Sequence, residues 1–204
     1  MSILFVRHGE TLLNVARTLQ PSDTPLSPRG ELQAEAVAQR LAGLGIAGIV
    51  SSHLPRARRT AELISKATGL RVNENPALQE RNFGSLRGLP YDTLPYNPLA
   101  MEDAPPGGES ASEFHRRVAE VFAQMVQHRR GLDGHLVVVT HGLVIHSLLT
   151  HHLQLPDGTT APQRLGNTSV TAVSALAPHE VELLDCTLHL ADVAQDDAQS
   201  LSGG

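Results

Sequence analysis

Two histidines stand where an apolar run gives out. Residues 2–8, Ser-Ile-Leu-Phe-Val-Arg-His, lead into Gly9-Glu10, and residues 135–140, His-Leu-Val-Val-Val-Thr, lead into His141-Gly142. A neutral imidazole nitrogen is a competent nucleophile toward phosphorus near neutral pH. The phosphoryl group it attacks carries two negative charges, so the nucleophile needs positive neighbours. Arg7 is adjacent to His8, and His141 offers a second cation or donor. A lone histidine at a strand end is explained by a routine hydrogen bond. Two of them, each followed by glycine, are poorly explained that way.

The elements around them must bring these residues together. Residues 2–8 and 46–51 read as short buried strands, 135–140 as a third, and 70–72 as strand-like. Ser27-Pro28 has the pattern of an N-cap followed by proline at the first helical position, opening a helix to about residue 44. A second helix is expected over 55–68, stopped by Gly69. Ser110-Ala111-Ser112-Glu113 is a capping box. It opens a long amphipathic helix with Phe114, Val118, Val121, Phe122 and Met125 on its apolar side. A further helix is expected over 143–153, and alternating strands over 168–176 and 181–190. Residues 85–108 hold five of the 13 prolines and both tyrosines, which predicts an irregular lid over the sheet edge. The order predicts an α/β fold: a three-layer α/β/α sandwich on a mostly parallel, about six-stranded sheet, forming one domain over 1–191. Its acidic tail, 192–204, is expected to be disordered. In such a sheet the carboxyl ends of parallel strands share one edge, which would place His8 beside His141.

Composition narrows the function. The 204 residues are 41% hydrophobic but only 3% aromatic, with no Trp, so the core must be aliphatic and stacking platforms for single-stranded nucleic acid are scarce. A net charge of −5 argues against nucleic-acid and membrane-surface partners. Every basic residue but Lys66 is Arg, which fits an Arg-rich coding bias and makes only particular arginines informative. Cys186 is the single cysteine and can form no internal disulfide. No apolar run approaches 20 residues, and the expected compartment is the cytoplasm.

Five ordered segments resemble the histidine phosphatase superfamily, also called phosphoglycerate mutase-like proteins. They are Arg7-His8-Gly9-Glu10-Thr11 with Asn14; Asp23-Thr24-Pro25-Leu26-Ser27 with Gly30 and Gln33-Ala34; Ser51 to Ala57 with Thr60-Ala61; Leu78 to Gly84 with Gly88; and Pro106 to Ser110 followed by Thr140-His141-Gly142. The resemblance implies that His8 is the phosphorylated nucleophile. It implies that Arg7, Arg56 and His141 surround the phosphoryl oxygens, with Asn14 and the Gly142 amide as further donors. Glu80 would protonate the leaving alcohol and then activate water. No metal and no cofactor are implied. Arg59, one helical turn past Arg56, is placed to share its face, and Arg58 to be solvated.

The family contains mutases and phosphatases. Glycolytic mutases usually carry Thr-Gly where Leu19-Gln20 stands here, Asn where Leu143 stands, and basic residues in the stretch between Arg87 and His115, which has none here. Without a carboxylate clamp water should take the phosphoryl group. The expectation is therefore a metal-independent phosphomonoester hydrolase acting through a phosphohistidine on a small phosphorylated metabolite. Phosphoglycerate mutase is the alternative, and an inactive phospho-ligand binding module is the alternative of another class. The partner is a small phosphomonoester, and the chain a monomer or homodimer. Leu12, Leu13, Arg81, Arg87, Tyr91, Tyr96 and Leu143 are expected to line the substrate. His53, where the family more often has Asp or Pro, either touches substrate or sits at a strand end. His151-His152 are expected at a helix C-terminus, favoured there by the dipole. His146 is expected behind the site, and Glu109 and Ser110 as a helix start.

Overall fold

In the computed structural model, residues 1–191 and 193 are described; apart from residue 193, the expected tail over 192–204 lies outside them. Six strands form one sheet in the order β3-β2-β4-β1-β5-β6. They are β1 Ser2–Arg7, β2 Ile46–Ser51, β3 Val72–Glu74, β4 His135–Thr140, β5 Val170–Ser174 and β6 Val181–Cys186. β3, β2, β4 and β1 run parallel, while β5 and β6 are antiparallel additions on the β1 side. Five α-helices complete the layers: α1 Leu12–Val15, α2 Pro28–Ala42, α3 Pro55–Thr68, α4 Ala111–Arg130 and α5 Gly142–His151.

Strand alternation sorts the core into two faces. Leu4, Val6, Val137 and Val139 pack with Ala34, Val37, Leu41, Ala57, Ala61 and Ile64 from α2 and α3. Ile3, Phe5, Leu136 and Val138 pack on the other face with Phe114, Val118, Val121 and Phe122 of α4 and Val144, Ile145 and Leu148 of α5. The sheet is thus covered on both sides, as the predicted sandwich requires.

Capping fixes where the helices start. Ser27 accepts from the Gly30 amide and Pro28 stands at the first helical position of α2. Ser110 and Glu113 form the reciprocal capping box of α4. α3 ends at Gly69, at φ 75°.

Several bounds differ from expectation. α2 stops at Ala42 and α5 spans Gly142–His151, because His141 already serves as its N-cap. β3 is Val72–Glu74 and mostly exposed, so no burial pattern marks its position in the sequence. β5 and β6 are shorter than the alternation over 168–176 and 181–190 suggests. Thr168 at φ 56° and Asp185 at φ 46° break the extended backbone, and Leu188–Leu190 is a 3-10 turn. α1 is a single turn that the hydrophobic pattern does not show; Thr11 and Asn14 cap it reciprocally.

Residues 85–108 contain only 3-10 turns, as the prolines imply. They are fastened to the loop after α1 by backbone bonds from Gly88 to Leu19 (2.6 Å), Leu19 to Leu89 (3.0 Å) and Tyr91 to Arg17 (2.9 Å). Beneath them Leu19, Phe83 and Tyr91 form a small core of their own, against which Leu143 packs.

Candidate active site

The parallel pairing of β1 with β4 puts their carboxyl ends side by side, with Arg7 opposite Thr140. The next residues are the two histidines. The His8 amide donates to the Thr140 carbonyl at 3.0 Å, and the His8 and His141 rings lie 5.1 Å apart between centroids. The predicted convergence is therefore present.

Each ring is fixed on one side. His8 Nδ1 lies 2.7 Å from the Gly9 carbonyl, a partner that can only accept, so Nδ1 carries the proton. Nε2 keeps its lone pair and has no hydrogen-bond partner among the described residues. Burial, then Arg56 and Arg7, holds the His8 pKa well below 6.5, against a smaller opposing effect of the Gly9 carbonyl. His141 Nε2 lies 2.8 Å from Ser52 Oγ, while its Nδ1 has no partner. Burial and the charges of Arg56, His8 and Arg7 lower its pKa too. Of the two capacities expected of His141, cation or donor, a neutral ring leaves that of donor.

The cations come from two elements. Arg7 ends β1, fully buried, with its guanidinium bonded to the Leu165 carbonyl. Arg56 enters on the first turn of α3, 1% exposed, and its Nε has no partner. Burial lowers the Arg56 pKa to about 10 although Glu80 opposes the change. Asn14, at the N-terminal cap of α1, accepts through Oδ1 from the Thr11 amide at 3.1 Å and from Asn167 Nδ2 at 3.4 Å. Its own Nδ2 is buried without a partner. The backbone at Gly142 opens α5 beside His141. Buried donors and lone pairs without a partner are rare, and among the described residues His8, His141, Arg56 and Asn14 each carry one. Donors of this kind suit an oxyanion.

Glu80 is held by the chain on either side of it. Thr140 Oγ1 donates to the Leu78 carbonyl at 2.7 Å, and Arg117 of α4 donates to the carbonyls of Ala77 (2.7 Å) and Gln79 (2.9 Å). The carboxylate accepts only backbone amides, from Arg81 at 3.0 Å and Leu143 at 3.2 Å. Burial outweighs these bonds and the nearby Arg56 and Arg7, and raises its pKa to about 7. The neighbouring carboxyls are committed elsewhere: Glu10 to Ser27 (2.8 Å) and Arg29 (3.0 Å), Glu109 to Arg117 (2.8 and 2.7 Å).

A narrow pocket continues outward, lined by Gln20, Ser22, Leu54, Arg56, Glu80, Arg81, Phe83 and Arg87. Arg81 and Arg87 were expected there, but the remaining lining is more polar than predicted. Leu12 is 69% exposed, and Tyr91 is buried against Leu19 and Phe83, its phenol pKa raised by burial and by Glu80. Leu143 borders a second cavity with His115, His146 and His151. Gln20 escaped notice as a site residue: it is buried, and neither end of its amide has a partner. Its signal was the departure from Thr-Gly at Leu19-Gln20. Arg59 does not share the face of Arg56; it pairs with Glu31 at 2.9 Å on the surface, and Arg58 pairs with Glu62 at 3.0 Å. His115, for which the sequence offered no partner, bonds Ser147 at 2.7 Å.

Comparison with known proteins agrees with this arrangement. Residues 3–184 match the histidine phosphatase superfamily (branch 1). The chain is 34% identical over 218 residues to the probable phosphoglycerate mutase GpmB of Erwinia tasmaniensis, covering 98% of this chain and 99% of that one. Among solved structures, it matches mycobacterial glucosyl-3-phosphoglycerate phosphatase with a TM-score of 0.77 and 30% identity, over 91% of this chain and 98% of the other. Phosphoglycerate mutase from Thermus thermophilus matches with a TM-score of 0.70 and 34% identity, over 91% and 99%. No helix among the described residues is long and apolar enough to cross a membrane. Sequence, fold and the paired strand-end histidines agree, and the chain belongs to branch 1 of the histidine phosphatase superfamily.

Proposed function

We propose that the protein is a phosphomonoester hydrolase that works through a phosphohistidine at His8 and needs no metal. The observation that carries this reading is the state of His8: neutral, tied through Nδ1 to a carbonyl, with the Nε2 lone pair unengaged between two buried arginines. In the first step the Nε2 lone pair forms a bond to phosphorus as the ester P–O bond breaks. The leaving oxygen takes the proton of Glu80. In the second, the Glu80 carboxylate accepts a proton from water, the water oxygen bonds phosphorus and the N–P bond breaks. Arg7, Arg56, His141, Asn14 and the Gly142 amide hold the three phosphoryl oxygens throughout. A carboxyl with a pKa of about 7 suits both halves of that cycle.

The leaving group lies against Gln20, Ser22 and Arg87. An amide, a hydroxyl and a guanidinium favour a small polar alcohol bearing hydroxyls or a carboxylate. The name carried by the Erwinia relative supports a second reading, phosphoglycerate mutase. Arg87 is the pocket's one cation outside the phosphoryl-binding set that makes no protein hydrogen bond or ion pair among the described residues. A single half-buried guanidinium is a weak clamp for reorienting a bisphosphate, which favours hydrolysis.

The test is alkaline-quench trapping of a base-stable, acid-labile phosphoenzyme, with His8→Ala as control. A phosphomonoester screen should include 3-phosphoglycerate with and without its bisphosphate. Loss of the phosphoenzyme and of ~10³-fold or more in kcat in the variant is expected. Undiminished turnover in His8→Ala refutes the nucleophile. Primer-dependent transfer without phosphate release favours the mutase. A protein that binds phosphate yet traps no phosphohistidine is a binding module.

A further inference from the structure

We propose that Ser52 fixes His141 as its Nδ1–H tautomer, turning that ring into a hydrogen-bond donor aimed at a phosphoryl oxygen held against His8. The inference deepens the phosphoryl-transfer reading above and rests on it. Ser52 follows β2, and its amide donates to the Val139 carbonyl at 2.9 Å, so it is anchored to the strand that carries His141. The side chain is fully buried. Its Oγ accepts the Leu54 amide at 3.3 Å and lies 2.8 Å from His141 Nε2.

The direction of the second bond follows from counting protons. The hydroxyl must place its own hydrogen, and His141 Nε2 is the acceptor found for it among the described residues. With Ser52 donating, Nε2 is the lone-pair nitrogen and Nδ1 bears the proton. The reverse tautomer leaves a buried O–H without an acceptor. It also turns an Nδ1 lone pair toward a group whose oxygens are anionic. The partnerless state of Nδ1 is consistent with a donor reserved for such a group. Burial among arginines keeps His141 neutral, so tautomer rather than charge decides whether it attracts or repels the phosphoryl group. Ser52 is in this sense a positioning residue: it acts through His141 and touches no substrate.

The decisive measurement is the ring-nitrogen spectrum of His141 in protein labelled with 15N at histidine, assigned by its loss in His141→Gln. Wild type should show a protonated Nδ1 and an unprotonated Nε2. Ser52→Ala should give the opposite tautomer or a mixture, and Ser52→Thr, which retains the hydroxyl, should restore the wild-type pattern. On a phosphomonoester, Ser52→Ala should lower kcat by roughly 10- to 100-fold. That is less than the ~10²–10³ for deleting an oxyanion donor outright, because some molecules keep the productive tautomer. In a His141→Ala background the Ser52→Ala change should cost nothing further. A protonated Nε2 in the wild type overturns the proposal without any variant being made. So does an unchanged tautomer in Ser52→Ala, or a fully additive loss, which would place the effect on Leu54 and Arg56. Failure to trap phospho-His8 would instead remove the catalytic reading, and the spectra would still decide whether Ser52 sets the tautomer.

Discussion

Replacing Glu80 by Gln keeps the side chain's shape and one of its two backbone bonds but removes the titrating proton. Its effect should depend on the leaving group. An alkoxide leaves poorly without a proton, so an alkyl phosphate should be slowed by ~10²–10⁴. Nitrophenyl phosphate departs as a stable anion, and its first step should be nearly unaffected, leaving a burst followed by slow dephosphorylation. Burial sets the pH range. With a pKa of about 7, the wild-type acid is half protonated at neutrality, and the rate on an alkyl phosphate should fall tenfold per pH unit above that point. The same shift has a stability counterpart. The folded-state pKa lies above the ordinary 4.5, so stability is fully present below pH 4.5 and is lost as pH rises through about 7. The ionised carboxylate then costs about 3 kcal/mol. The Tm of Glu80→Gln relative to wild type should therefore be several degrees higher at pH 8 than at pH 4.5. Rapid-quench kinetics on both esters and calorimetry at the two pH values test this. Equal slowing of the first step on both esters would refute the acid role and leave Glu80 a brace of the loop. A difference in melting between variant and wild type that is the same at both pH values would refute the burial argument.

The lowered pKa of His8 predicts that the acid limb of kcat/KM, corrected for substrate ionisation, lies well below pH 6.5, since activity is lost only as pH falls through that depressed value; a limb at 6.5 or above contradicts it. A Cβ at Gly30 would stand 2.1 Å from the Glu10 carbonyl oxygen, so Gly30→Ala should cost ~1–3 kcal/mol, lower Tm by several degrees and reduce kcat by shifting the loop after His8; an unchanged Tm counts against that contact. Turnover should survive exhaustive chelation, because the arginines supply the positive charge; a large loss restored by Mg²⁺ or Zn²⁺ would refute the proposed chemistry.

Much of this architecture was legible because burial and capping leave local marks. Pro55 and Gly69 frame α3 in the sequence as they do in the structure, and the Ser110 box starts α4 where expected. Unbroken apolar runs located β1 and β4, and so the meeting of His8 with His141. What stayed hidden is polar and long-range. No periodicity announces that Asn167 reaches Asn14, or that Ser52 reaches His141, because one hydrogen bond across the fold has no signature at either end. β3 was misplaced since its residues face solvent. The substrate lining was only partly foreseen because the small core under residues 85–108 takes Tyr91, and the pocket passes to Gln20 and Ser22 beside the expected Arg81 and Arg87.

Arg7 and Arg56 are the two largest fully buried side chains among the described residues, and the carboxyl beside them is held toward its neutral form. Burying positive charge at the sheet edge is a standing penalty on the native state. An oxyanion that relieves the penalty acts as a folding ligand: at 100 times its Kd it adds about 2.7 kcal/mol to stability. Inorganic phosphate, the product of the proposed hydrolysis, would then both protect the protein from heat and delay its return to another turnover. Thermal robustness and catalytic throughput are set against each other by a single small anion.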